Sequence, residues 1–337
     1  MQYYENEQMT SVEVINKVSD KSSSDDSKEV LRLISGSSHL ELAKEISQLI
    51  NLPLTPIIRK KFADGELYIR IQESVRGCDV YLIQPICKNV NDQLIELLMM
   101  VDACKRASAK AVTAIVPYYA YARFDCKISG RESITAKLVA NLLASSGVDR
   151  IVSIDLHSNQ IQGFFDIPLD HLYSNPVLVE YLKGKALKQP VVVSPDIGGV
   201  ARARAFAKLF NNSPLAIVDD RNDDNSVKAS QVIGDIVDKD VIIVDDIIDS
   251  GNTILRAAEI LKREKASKVY VCATHGVLSG SVKKISSSGL FEEILLTNTI
   301  PLPPTDAFPQ LSVVSIAPLL GEAIRRIHKH ESISQMF

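Results

Sequence analysis

Short apolar runs alternate along the chain with stretches whose apolar residues recur every three or four positions. Residues 30–34, 79–84, 111–117 and 150–156 are runs of the first kind and read as buried strands. Between them, Leu40, Ala43, Ile46 and Leu49 share one helical face. Leu94, Leu97, Leu98, Val101 and Cys104 share another, with Asn91 as the expected cap. A third helix is expected over 134–146. The alternation restarts after Leu172, with helices expected over 177–183, 200–210 and 255–265. Strands are expected over 190–194, 215–219, 268–274 and 293–296, and another begins at Val241. Strands alternating with helices predict parallel sheets covered on both faces. Two such halves in 337 residues predict two α/β domains in tandem, 29–171 and 172–337, each able to bury a core. Residues 1–28 are polar, with a serine- and aspartate-rich run from Ser22 to Ser27, and read as a disordered extension.

The densest chemistry lies over 241–254, VIIVDDIIDSGNTI. An apolar strand breaks into Asp245 and Asp246, then Asp249 and the small-residue turn Ser250, Gly251, Asn252, Thr253; an amphipathic helix follows. Such a turn offers backbone N–H groups, hydroxyls and the positive end of a helix dipole to a phosphate. Paired carboxylates grip a sugar diol or a magnesium ion. Together they fit a sugar phosphate, although paired acids also end ordinary solvated strands. The chain has neither a G-x-x-x-x-G-K-[ST] nor a G-x-G-x-x-G pattern, which argues against Walker and dinucleotide sites.

Composition narrows the partners. A net charge of −3 offers no strongly basic face, so nucleic acid is not the expected partner. Five scattered cysteines without a C-x-x-C pair fit a reducing compartment. No apolar run reaches membrane-spanning length, and the first residues lack a secretory apolar core. Their acidic residues, among them Glu5 and Glu7, are unlike a transit peptide. The expected setting is the cytoplasm.

Other candidates sit at strand ends. His157 follows the run ending at Leu156 and shares a strand face with Asp155 if the strand persists, placing both for phosphate or metal. Asp196 precedes Gly198 and Gly199, which permit close backbone approach. Phe62, Asp64 and Glu66 alternate as on an extended segment; the plainer reading is a turn beside an ordinary phenylalanine. Arg123 and Arg131 flank a glycine-containing loop and suit phosphate contacts. Asp166 and Asp170 are lesser metal candidates.

The 241–254 pattern resembles the phosphoribosyl-diphosphate loop of the phosphoribosyltransferase fold. With FADGE (62–66), YAR (121–123), DLH (155–157), QIQGFFD (160–166) and SPDIGG (194–199) in that order, the chain from about Leu31 to Phe337 resembles the ribose-phosphate diphosphokinases. The resemblance implies two tandem phosphoribosyltransferase-like domains, each a mainly parallel sheet flanked by helices. It implies transfer of a diphosphoryl group from ATP to the anomeric hydroxyl of ribose 5-phosphate, with Mg2+. It places Phe62, Asp64 and Glu66 at adenine, Arg123 and His157 at the ATP phosphates, and Asp155, His157 and Asp196 at metal. Asp245 and Asp246 fall at the ribose hydroxyls, and Asp249, Ser250, Gly251, Asn252 and Thr253 at the 5-phosphate. Arg131 falls at an intersubunit or allosteric site, and the implied assembly is a homo- or hetero-oligomer, a hexamer built from dimers. A purine or pyrimidine phosphoribosyltransferase shares the loop but not the second domain or the FADGE and DLH stretches.

The chain departs from that pattern at its cationic loop. Aligned from Leu215, Asp220 stands at the usual lysine and Asn222 at the usual arginine, leaving Arg221 as the candidate catalytic cation. Acidic groups repel the transferring phosphates. Phe124 replaces a usually polar residue, and Asn252 a usual glycine. These changes open an alternative, a catalytically impaired regulatory or structural subunit of such an assembly.

Overall fold

The computed structural model describes residues 30–219 and 231–336. The expected extension over 1–28 lies outside them, as do Asp220, Arg221 and Asn222. β1 (Leu31–Ser35) leads into α1 (Leu40–Leu49), and β2 (Ile57–Lys61) and β3 (Leu67–Ile71) form an antiparallel hairpin. Next come β4 (Asp79–Ile83), α2 (Val90–Arg106), β5 (Ala111–Val116), α3 (Thr135–Ser146), β6 (Arg150–Ile154) and β7 (Leu169–Leu172). The first sheet is five-stranded and parallel, in the order β1-β4-β5-β6-β7.

Side chains alternate across this sheet as a pleat requires. Val80, Leu82, Ala114 and Val116 join the core under α2 and α3, with Leu97 and Leu143. Tyr81, Ile83 and Ile115 join the opposite core. Both faces are therefore dry, which is why these strands read as continuous apolar runs.

The second half runs α4 (Asn175–Lys183), β8 (Val191–Ser194), α5 (Val200–Leu209), β9 (Leu215–Asp219), β10 (Gln231–Ile233), β11 (Val241–Ile248) and α6 (Asn252–Arg263). It closes with β12 (Val269–Gly276), α7 (Val282–Ser286), β13 (Glu293–Thr297), β14 (Leu311–Val314) and α8 (Ala317–His328). Its seven-stranded sheet has the order β10-β9-β8-β11-β12-β13-β14, parallel except for β10. β11 is central, with Ile243 buried against the α6 side and Ile242 and Val244 against Phe206 of α5.

Three expectations change, and a helix outside the sequence reading joins them. The strand at Val241 does not break at the paired acids: Asp245, Ile247 and Ile248 stay in register with β12 through Gly276. FADGE is the tip of a hairpin rather than an extended segment, with the Phe62 N–H bonded to the Glu66 carbonyl and Gly65 at φ +98°. Asn89, not Asn91, precedes α2, and Asn91 instead accepts a hydrogen bond from the Tyr121 hydroxyl. Finally, α8 crosses back to the first sheet, where Leu320 and Ile324 share a core with Leu33, Leu42 and Ile46. An amphipathic pattern marks a helix face for burial without naming the surface that buries it.

Polar contacts fix the junction of the two sheets. His39 Nε2 donates to the Asn298 carbonyl at 2.9 Å, and the Asn298 amide bonds Glu45 on α1. His275, 3% exposed at the end of β12, donates from Nε2 to the carbonyls of Ile154 and Asp155 at 3.1 and 3.2 Å and accepts from Thr299. The carboxyl ends of β6 and β12 therefore meet, beside β11 and where ligands sit in open α/β sheets.

Candidate active site

His157 lies just beyond β6, and its Nδ1 is 2.7 Å from Oδ2 of Asp246, on β11. Arg202 of α5 ties the pair together. Its Nη1 is 3.2 Å from Oδ1 of Asp245 and 3.0 Å from Oδ1 of Asp246, and its Nη2 donates to the His157 carbonyl. Asp246 is only 3% exposed, and burial would raise its carboxyl; the His157 bond and the Arg202 charge outweigh burial and hold it below the usual range. Burial, then the Asp246 charge, push the Asp245 carboxyl the other way, well above that range. The bond to Asp246 raises the His157 imidazole, outweighing partial desolvation of this exposed ring. Neighbouring groups driven apart in this way mark a functional site.

A second bridge runs from Arg123, whose Nη1 donates to Oδ2 of Asp249 at 2.8 Å. Burial opposes ionisation of Asp249, but its bonds from Ser279 and Arg123 prevail and lower its carboxyl. After Asp249 the chain turns through Gly251 at φ +73°, a left-handed conformation that favours glycine, and α6 begins at Asn252. A Cβ at Gly251 would also come within 2.8 Å of Ile285 Cδ1. No side chain caps α6, so its first-turn N–H groups remain for a ligand.

Arg123, His157, Asp245, Asp246 and Asp249 are thus brought together, with Ser250 and Thr253 on the adjoining turn. Asp196 stands at the end of β8, the strand paired with β11, its Oδ1 accepting the Gly199 N–H at 2.8 Å. A Cβ at Gly199 would lie 2.8 Å from Ser194 Oγ, so a side chain there would displace that hydroxyl. Phe62, Asp64 and Glu66 do not line the cavity bounded by Arg123, His157 and Asp246; all three are exposed at the hairpin tip. Arg131 is likewise exposed in its loop, at φ +67°.

Asp155, His157 and Asp196 are not gathered as a metal centre. Asp155 is buried, and its Oδ2 accepts from the Ser174 N–H, the Ser174 hydroxyl and Thr274 at 3.0, 2.5 and 2.6 Å. That oxygen is saturated as a brace between β6 and β12. Asp170 pairs with Arg150 and Asp166 faces Lys137. Among the described residues, no group of three or more His, Cys, Asp or Glu is disposed to hold a metal ion. The remaining oxygen donors, Asp196 and the β11 carboxylates, still fit a hard divalent cation that takes its other ligands from phosphate oxygens and water.

Arg202 escaped the sequence reading. Its signal was position: an arginine in the first turn of the helix after SPDIGG, at the carboxyl end of the strand beside β11. His275 escaped because a histidine ending an apolar run carries no sign of its partners.

Residues 31–147 match the family model of the N-terminal domain of ribose phosphate pyrophosphokinase, and residues 224–337 that of the phosphoribosyl synthetase-associated domain. The chain is 59% identical to a ribose-phosphate pyrophosphokinase of Nostoc sp. over 308 residues, 91% of this chain and 93% of that protein. It is 58% identical to one of Gloeobacter violaceus over 310 residues, 92% and 93% of the two chains. The crystal structure of phosphoribosylpyrophosphate synthetase from Mycobacterium smegmatis superposes with a TM-score of 0.85 at 42% identity, covering 89% of this chain and 99% of that one.

Proposed function

The chain belongs to the ribose-phosphate pyrophosphokinase family, and we propose that it transfers a diphosphoryl group from ATP to ribose 5-phosphate, giving 5-phosphoribosyl 1-diphosphate and AMP for nucleotide biosynthesis. The observation that carries this reading is the double bridge between the halves, His157 to Asp246 and Arg123 to Asp249. Each bridge joins a residue suited to ATP phosphates to one suited to ribose phosphate.

In this reading Asp245 and Asp246 accept hydrogen bonds from the ribose hydroxyls. The turn from Asp249 to Thr253 receives the 5-phosphate on its N–H groups and hydroxyls. Arg123 and His157 orient the ATP phosphates, and Arg123 would exchange its Asp249 partner for them as substrates arrive. The anomeric hydroxyl attacks the β-phosphorus, the bond to the α-phosphate oxygen breaks, and AMP leaves. Arg202 holds the paired carboxylates in place throughout. A divalent ion, in our reading Mg2+, would be held by Asp196 together with the nucleotide phosphates and would neutralise charge on the transferring group.

The exposed hairpin bearing Phe62, Asp64 and Glu66 meets adenine, in our reading, by reaching the site of an adjoining copy in a hexamer or similar oligomer. Among the described residues, no helix is long and apolar enough to cross a membrane. The free cysteines, most of them buried, suit the reducing cytoplasm. One sequence feature favours a second reading, an impaired regulatory subunit: Asp220 and Asn222 at the usual cationic positions. Release of AMP from ATP by the purified chain tests the choice. Release that requires ribose 5-phosphate supports catalysis; binding of both ligands without release supports the second reading.

A further inference from the structure

The turn that we assign to the 5-phosphate has an outer wall. α7 stands against it, with Ile285 filling the space that a side chain at Gly251 would need. The register of α7 is thereby fixed relative to the turn, and it brings two polar groups alongside. Ser281 is 2% exposed, and its hydroxyl is buried without a hydrogen-bond partner; its Cβ lies 3.5 Å from where a Gly251 Cβ would be. A buried hydroxyl left unpaired beside a turn of free N–H groups is a group that a ligand or its water satisfies. Lys284 reaches over the turn, and its Nζ donates to Oδ1 of Asn252 at 2.6 Å.

Resting on the assignment of the turn to the 5-phosphate, we propose that Lys284 is a positioning residue for that phosphate and acts through Asn252. The ammonium occupies the amide oxygen, so the Asn252 side chain is held with its NH2 group as the remaining donor. The lysine charge also stands at the first residue of α6, where the helix dipole already favours an anion. A charge-assisted bond is stronger than a neutral one and polarises the amide it engages. Asn252 is then a working part of the site. The side chain lost in a glycine is here the arm by which a surface lysine reaches the phosphate.

Calorimetric titration of ribose 5-phosphate into the purified full chain, its Lys284→Ala variant, Asn252→Gly, and the double variant tests this. Lys284→Ala should weaken ribose 5-phosphate about three- to fivefold at low ionic strength, the size of an exposed charge effect. The loss should shrink at about 0.5 M salt, where charges a few ångströms apart are screened. Lys284→Arg should retain affinity, and Mg-ATP affinity should stay unchanged in all variants. In the Asn252→Gly background, Lys284→Ala should cost nothing further. Unchanged affinity in Lys284→Ala, a loss insensitive to salt, or the same loss in the Asn252→Gly background would each overturn the proposal. An unaltered chain that fails to bind ribose 5-phosphate at all would instead overturn the functional reading on which it rests.

Discussion

Nδ1 of His157 and Oδ2 of Asp246 lie 2.7 Å apart although they are 89 positions apart in sequence; His157 follows β6 of the first sheet, and Asp246 sits on β11 of the second. Each perturbs the other: the carboxylate raises the imidazole, and the imidazole helps to hold the carboxylate ionised against its burial. The contact exists only when both halves are folded and docked. It couples the half that we assign to ATP with the half that we assign to ribose 5-phosphate.

His157→Ala should therefore act on both ligands. ATP affinity should fall because the group that we assign to its phosphates is lost. Asp246 should also lose a partner that keeps it ionised, so the pH profile of ribose 5-phosphate binding should move to higher pH. Steady-state kinetics and calorimetry on the folded variant check this, and unchanged values for both ligands would make His157 a structural residue only.

Asp246→Ala leaves Arg202 with the partly exposed Asp245 as its remaining carboxylate partner. Removing a buried carboxylate that accepts charge-assisted bonds costs about 1.5–3 kcal/mol. A lower melting temperature is expected, together with loss of ribose 5-phosphate affinity and largely retained Mg-ATP affinity. Calorimetry on the variant below its melting point separates the binding loss from the stability loss.

His39 predicts an acid-labile junction. Burial holds its imidazole below the ordinary value, outweighing the Asn298 bond and the Glu45 and Glu41 charges, so the folded form is neutral. Its Nδ1 accepts the Leu42 N–H while Nε2 donates to Asn298, a pattern that only the neutral ring can make. The unfolded chain takes up the proton first. This contribution is full above about pH 6.5 and is lost as pH falls below it through the depressed folded value. His157, whose value is raised, contributes in the opposite sense, losing stability as pH rises through its folded value. Melting curves from pH 8 to 5.5 should show a falling midpoint, with a shallower slope in His39→Asn, which keeps the helix-capping acceptor but cannot titrate.

The fold class was legible because both sheets are dry on both faces, so their strands read as apolar runs separated by helical patterns. The paired acids were legible as chemistry but not as strand. Asp245 and Asp246 continue the ladder because Arg202 and His157 partner their charges, and neither partner lies nearby in sequence. For the same reason Asp155 looked like a ligand: its real partners, Ser174 and Thr274, meet it only in the folded chain. The destination of α8 was likewise written in the first sheet rather than in the helix.

The segment around Asp220 makes a prediction from charge alone. Asp220→Lys with Asn222→Arg restores the two cations that the resemblance to the ribose-phosphate diphosphokinases implies for this segment. One well-placed stabilising group is worth on the order of 10²–10³ in rate. Turnover at saturating substrates should rise with little change in affinity. A fast unaltered chain that gains nothing would mean that Arg221, Lys228 or a neighbouring copy already supplies the charge.

Phosphorus NMR of the purified chain with Mg-ATP and ribose 5-phosphate tests the central claim most directly, because it follows the bond that breaks. The account predicts AMP and a diphosphate ester on the ribose C1 in equal amounts, with neither formed when ribose 5-phosphate is omitted. ADP with free phosphate, or an unchanged ATP spectrum with both substrates present, would contradict it.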